Sequence, residues 1–298
     1  MYERILLPVD GSDDAERAAK RGLELAQTHD ATAEVLHVVD RKALALTRTS
    51  DEKRRLRERG EAALESVESL ASERGQHVTT TLTEGNPAAE ISEYAAERDA
   101  DLVVVGRQGM TGVGRRLLGG VTEQVLSRGD VPVFVVPDDD RDPESDDSFS
   151  RVLLATDGSD PADRATPHAA ALAANYGASV HVLNVVDLQG AGGAFDVGGL
   201  ESEFVDRLEE RGRDTVDRVA AEIDATAPDV PIRTAVERTT SHRGAADGIV
   251  EYVAENGIDL VVMGSQGRST LKRQLLGSVA STVLRTVDVP VLVAQRRS

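Results

Sequence analysis

Gly264, Gly267 and Gly277 form the pattern Gly-x2-Gly-x9-Gly, with Ser278 and Val279 directly after the last glycine. The pattern lies between an apolar run, Leu260-Val261-Val262-Met263, and a stretch of helical periodicity. Glycine lets a backbone come close to a ligand, and the first turn of a helix carries N–H groups with no intrahelical partner, toward which an anion is drawn. Glycines between a strand and a helix therefore point to phosphate. The pattern occurs a second time: Leu102-Val103-Val104-Val105 leads into Gly106, Gly109, Gly119, Gly120 and Val121. Charge agrees. In a chain of net charge −18, Leu102 to Thr122 holds Arg107, Arg115 and Arg116 without a carboxylate, and Leu260 to Val287 holds Arg268, Lys272, Arg273 and Arg285 without one. Either stretch alone is also compatible with glycines that only permit tight turns beside basic surface loops. Two copies in the same strand-loop-helix context favour the phosphate reading.

The duplication extends along the chain. Ile91, Tyr94 and Pro132 recur at the same spacing as Ile249, Tyr252 and Pro290, and Leu6-Leu7-Pro8-Val9-Asp10-Gly11-Ser12 reappears as Leu153-Leu154-Ala155-Thr156-Asp157-Gly158-Ser159. Copy two is longer in its middle, with a glycine-rich insertion from Gly190 to Gly199, and Arg238 to Arg243 replaces the Glu84-Gly85-Asn86-Pro87 turn of copy one. A chain of 298 residues built this way makes two domains of ordinary size, expected at 1–137 and 150–298, with an acidic linker at 138–149. Within each copy, apolar strand-like runs alternate with helical stripes. Expected helices include one starting at Ser12 or Asp13, Ser50–Glu73, Pro87 to Arg98, and Ala162–Asn175. Such alternation gives a parallel sheet with helices on both faces.

Composition sets limits. Of 34 basic residues only Lys20, Lys42, Lys53 and Lys272 are lysine, which with the charge of −18 reads as a salt-adapted acidic surface. Nucleic acid and anionic membrane are poor partners for such a surface, since both need clustered positive charge. Without cysteine there are no disulfides, zinc thiolates or thiol nucleophiles. No apolar run reaches the length of a membrane span, and Met1-Tyr2-Glu3-Arg4 leads directly into a strand, so a cytoplasmic location is expected. The six histidines show no metal-ligand spacing; His37 and His181 read as strand residues.

The strand-one Asp-Gly-Ser, the His37-Val38-Val39-Asp40 end of strand two, and above all Gly-x2-Gly-x9-Gly-Ser before a helix resemble the universal stress protein (UspA) family, here as a tandem pair spanning nearly the whole chain. The resemblance implies two Rossmann-like domains of the adenine nucleotide alpha hydrolase type, each a five-stranded sheet in order 3-2-1-4-5. It implies ATP at the carboxyl edge between strands one and four. It sets the phosphates against Gly264, Gly267, Gly277, Ser278 and Val279, with Asp157 near the ribose and a candidate Mg2+, and Val185 beside the adenine. The first-copy counterparts are Asp10, Val38, Gly106, Gly109, Gly119, Gly120 and Val121, where Gly120 replaces the usual hydroxyl. Site two is therefore expected to bind more tightly.

The function expected is an ATP-binding stress-response or signalling module that binds without rapid turnover and acts through a protein partner. The two copies are expected to pair as a pseudo-dimer, with further homodimerisation open. Two other readings remain: a slow ATP hydrolase or adenylate-transferring enzyme on the same fold, and a scaffold that dimerises without nucleotide. No Walker motif, nucleophile elbow or HExxH is present.

Overall fold

The computed structural model describes residues 1–110, 117–138, 148–189, 202–267 and 276–295. The chain divides near residue 142 into two compact units. The first runs β1 (Arg4–Pro8), α1 (Asp13–His29), β2 (Thr32–Asp40), α2 (Arg41–Leu46), α3 (Ser50–Glu73), β3 (Val78–Gly85), α4 (Pro87–Glu97), β4 (Leu102–Gly106), α5 (Gly120–Arg128) and β5 (Val133–Val136). The second runs β6 (Arg151–Ala155), α6 (Asp160–Asp163), α7 (Thr166–Tyr176), β7 (Ser179–Asp187), α8 (Ser202–Thr226), β8 (Ile232–Thr239), α9 (Ala245–Asn256), β9 (Leu260–Gly264), α10 (Ser278–Thr286) and β10 (Val291–Ala294). In unit one the strands pair in parallel in the order β3-β2-β1-β4-β5. Unit two repeats it as β8-β7-β6-β9-β10. Both are the expected 3-2-1-4-5 arrangement.

The apolar runs explain the layers. β4 and β9 are buried at every residue. Successive strand side chains point to opposite faces, so both faces of the sheet are covered. Helix α1 begins where the Ser12 hydroxyl accepts from Ala15 N–H at 3.2 Å, and it buries Ala15, Ala18, Ala19, Leu23 and Ala26 at helical spacing. Helix α3 opens with a capping box between Thr49 and Glu52. Helix α4 has Pro87 in its first turn, and its cap Asn86 accepts from Ala89 N–H at 3.1 Å.

Two expectations are revised. The single helix expected from Ala162 to Asn175 is two, because Pro167 has no N–H to give the preceding turn and its ring crowds that turn's carbonyl; it falls instead in the first turn of α7. Between β2 and α3 there is an additional short helix, α2, whose first turn is held by Asp40 Oδ1 accepting from Lys42 N–H at 2.8 Å. His37 and His181 lie in β2 and β7, as expected. The glycine-rich insertion and most of the acidic linker lie outside the described residues.

Candidate functional site

The order of strands reverses between β1 and β4, and again between β6 and β9. Open α/β sheets bind ligands at such a switch point, beyond the carboxyl ends of the strands. Asp10 and Asp157 stand there, each followed by a glycine at positive φ, Gly11 at 85° and Gly158 at 73°. Asp10 Oδ1 accepts from the N–H (3.0 Å) and hydroxyl (2.5 Å) of Ser12, and its Oδ2 accepts from Met110 N–H at 2.9 Å, tying the end of β1 to the loop after β4. Asp157 Oδ1 accepts from the N–H (3.0 Å) and hydroxyl (2.6 Å) of Ser159.

Most of the glycines have a packing reason of their own. A Cβ on Gly264 would stand 2.6 Å from the Pro161 carbonyl oxygen, and one on Gly106 would stand 2.9 Å from that of Asp14. A Cβ on Gly267 would meet Asp157 Oδ2 at 2.6 Å, and one on Gly109 would meet Asp10 Oδ2. Cβ atoms on Gly119 and Gly277 would come within 3.2 Å of the Arg107 and Ser265 carbonyl oxygens. These glycines let the loop, the aspartate and the next helix close on one another. Gly120 is different, since a Cβ there would meet nothing within 4 Å.

The helix starts beside these glycines are open. Gly119 and Gly277 are the N-caps of α5 and α10 and supply no side-chain cap, and α10 has no acidic residue in its first turn. Their own N–H groups are bonded, Gly119 to the Arg107 carbonyl (2.8 Å) and Gly277 to that of Ser265 (2.9 Å), which fixes where each helix begins. By contrast α1 and α4 are capped by Ser12 and Asn86 and have acidic first turns. Among the described residues the beginning of α10 thus keeps both its first amides and the positive end of the helix dipole available to an outside anion.

In unit two a cleft of about 200 Å3 is lined by Asp157, Val185, Gly264, Gly267, Gly277, Ser278 and Val279, which the structure therefore brings together, with Leu183, Ile249 and Met263 as an apolar wall. In unit one a cleft of about 410 Å3 brings together Asp10, Val38, Gly106, Gly109, Gly119, Gly120 and Val121. An apolar wall facing a few directed polar groups is the usual make-up of a small-molecule site.

The charge argument holds only in part. Arg107 is 2% exposed, and its guanidinium donates to Asp138 through Nε, at 2.8 Å, and Nη2. It fastens the end of β5 instead of facing the cleft, and its counterpart is the buried Ser265. Arg285 lies in the last turn of α10, away from the open amides. Arg115, Arg116, Arg268, Lys272 and Arg273 are outside the described residues. Asp14, just behind Gly106, has its carboxyl pushed up by burial, a shift that neighbouring Arg17 opposes.

Sequence reading missed Arg59 and Arg211. Arg59 lines the first cleft. Arg211 lines a cavity of about 170 Å3 that shares Asp157 and Val185 with the main cleft of unit two. The signal was present as a repeat, Arg55-Leu56-Arg57-Glu58-Arg59-Gly60 against Arg207-Leu208-Glu209-Glu210-Arg211-Gly212. A Cβ on Gly60 would meet His37 Nε2 at 2.8 Å and one on Gly212 would meet Asn184 Oδ1 at 2.8 Å, so each glycine seats its helix against strand two. Among the described residues no group of three or more His, Cys, Asp or Glu could hold a metal ion, and no helix is long and apolar enough to cross a membrane.

The sequence profile of the Universal stress protein family matches residues 1–137 and 148–295. A universal stress protein of Mycolicibacterium smegmatis is 30% identical over 305 residues, 98% of this chain and 97% of its own length. One of Methanocaldococcus jannaschii is 38% identical over 140 residues, 46% of this chain and 82% of the relative. The crystal structure of a universal stress protein from Archaeoglobus fulgidus aligns over 98% of this chain and 96% of its own with a TM-score of 0.72; at 24% identity it speaks for the fold alone. With the family profile matched twice and a relative aligned along almost the full length, this chain belongs to the universal stress protein family, in tandem form.

Proposed function

We propose that the protein binds ATP in both clefts and works as a nucleotide-operated module, built of domains 1–137 and 150–298 joined by an acidic linker at 138–149. The observation that carries this reading is the start of α10. It is an uncapped, acid-free helix N-terminus, placed by glycines at one end of a cleft that also has an apolar wall of Leu183, Ile249 and Met263. Phosphates fit the amide end, and the base fits beside Val185, Ile249 and Met263. Asp157 reaches the ribose. Among the described residues no group of His, Asp or Glu holds a metal on its own. Mg2+ therefore enters with the phosphates, which supply most of its oxygen ligands.

Unit two is the stronger site. Ser278 offers a hydroxyl where unit one has Gly120, and one hydrogen bond to a charged group contributes about 1.5–3 kcal/mol when well formed, less at an exposed position. Turnover is not expected, because among the described residues no side chain in either cleft is set to activate a water, and the output is a change of pairing or partner. Calorimetric titration with Mg-ATP, alongside release assays for phosphate, pyrophosphate and AMP, tests the reading. Saturable binding without product release supports it. Steady release abolished in Asp157→Ala turns the assignment to an enzyme, and absence of binding by folded protein removes the ATP reading in favour of a scaffold.

A further inference from the structure

The main clefts account for the glycines, Asp10 and Asp157, but not for the arginine and aspartate repeated beside them. In unit two a side cavity opens on the α8 face of β7, walled by Asn184, Asp187, Leu208, Arg211 and Thr215 and joined to the cleft at Asp157 and Val185. In unit one the same ground, with His37, Asp40, Leu56 and Arg59, is continuous with the cleft. Five of its positions keep their residue type in both copies: Asp10 and Asp157, Val38 and Val185, Asp40 and Asp187, Leu56 and Leu208, Arg59 and Arg211.

The two arginines stand where their helices border the cleft or its side cavity. Around them Arg54 pairs with Asp51 and Glu58, Arg57 with Glu84, Arg213 with Glu209, and Arg218 with Asp163. Among the described residues Arg59 and Arg211 have no ion-pair partner, although an aspartate lines the same space. Those aspartates are engaged with backbone, Asp40 Oδ1 with Lys42 N–H at 2.8 Å and Asp187 Oδ1 with Gln189 N–H at 3.0 Å. The position of each arginine is fixed by the glycine after it, which brings the helix against β2 or β7.

Each site thus has two cationic ends, the open helix start and an arginine, with the ribose and base positions between them. We propose that Arg59 and Arg211 recognise a phosphate carried on the ribose, so that the favoured ligands are nucleoside bisphosphates bearing one phosphate on the 5′ oxygen and another on the 2′ or 3′ oxygen. This rests on the nucleotide reading above. The cavity meets the cleft at Asp157 and Val185, beside ribose and base, so a ribose substituent enters it and a longer 5′ chain does not. Guanidinium forks suit phosphate oxygens in paired hydrogen bonds.

The test is calorimetric titration of the full chain with AMP, ADP, adenosine 2′,5′-bisphosphate and adenosine 3′,5′-bisphosphate, in wild type and in the Arg59→Gln, Arg211→Gln double variant. ADP carries its second phosphate on the 5′ side and controls for charge. One bisphosphate is expected to bind roughly tenfold more tightly than ADP, as one charge-assisted contact at a partly exposed site allows. The preference over ADP should vanish in the double variant, and the better isomer identifies the oxygen that carries the phosphate. No preference over ADP, or one that survives in the double variant, overturns the inference and leaves the nucleotide site standing. Failure of all four nucleotides to bind overturns both.

Discussion

Ser278→Asp separates phosphate binding from the stability of the fold, because the two respond with opposite sign. Ser278 is exposed and is the first residue of α10, whose cap Gly277 has no side chain and whose first turn has no acid. A carboxylate there meets the positive end of the helix, an interaction of about 0.3–1 kcal/mol in favour of the folded state. The same carboxylate faces bound phosphates. Two unit charges 4 Å apart repel by about 1 kcal/mol in water and about 4 kcal/mol at the effective dielectric of a protein surface. Exposure puts the residue toward the lower part of that range, so about 1–2.5 kcal/mol is expected, a roughly fivefold to seventyfold weakening of site two. Thermal unfolding without nucleotide should show a midpoint unchanged or raised by a few degrees. Calorimetry with Mg-ATP should show the tight site lost or displaced to higher concentration. Ser278→Asn, of the same shape but neutral, should weaken binding far less. If Ser278→Asp folds normally and binds Mg-ATP as the wild type does, the start of α10 is not where phosphate sits, and the reasoning from glycine spacing to function fails.

Gly120→Ser should cost almost no stability, since the added Cβ meets nothing within 4 Å, and should strengthen the first site several-fold, read most cleanly in the Ser278→Asp background. Asp138→Ala removes a carboxylate to which the buried guanidinium of Arg107 donates and should cost about 1.5–3 kcal/mol in urea unfolding, with Asp138→Asn recovering part of the loss through its remaining acceptor. His29 has its pKa lowered to about 4 from 6.5 by burial and then by the N-terminal charge. The unfolded chain therefore binds this proton more readily, and the stability linked to it is complete above about pH 6.5 and falls away as pH drops toward 4. In His29→Gln the unfolding midpoint should fall less steeply across that window; an unchanged slope would place the proton uptake elsewhere.

The family and strand order were legible in the sequence because the duplicated glycine pattern, the aspartate after strand one and the buried apolar runs are local in the chain. Each is a short stretch whose conformation follows from its own residues. The fourteen candidate residues also fall into two clefts as the repeat implies, since all lie at the carboxyl ends of strands whose order the fold fixes or at the starts of the helices that follow. Local pattern was a poor guide where a residue's role depends on a distant partner. Arg107 reads as one of three arginines in a basic stretch, yet it turns inward to Asp138 at the far end of β5. Arg59 and Arg211 read as members of solvated helix faces, and only the packing of Gly60 and Gly212 against β2 and β7 brings them to the cleft edge. The glycines themselves were assigned by sequence to ligand approach. The tertiary structure adds that most are required by the protein's own backbone and carboxylates, while Gly120 is free of that demand. Sequence determined which elements form and in what order they pair. Which charges are paired off and which face open space was decided by side chains brought together from separate elements, through contacts that no single stretch of chain encodes.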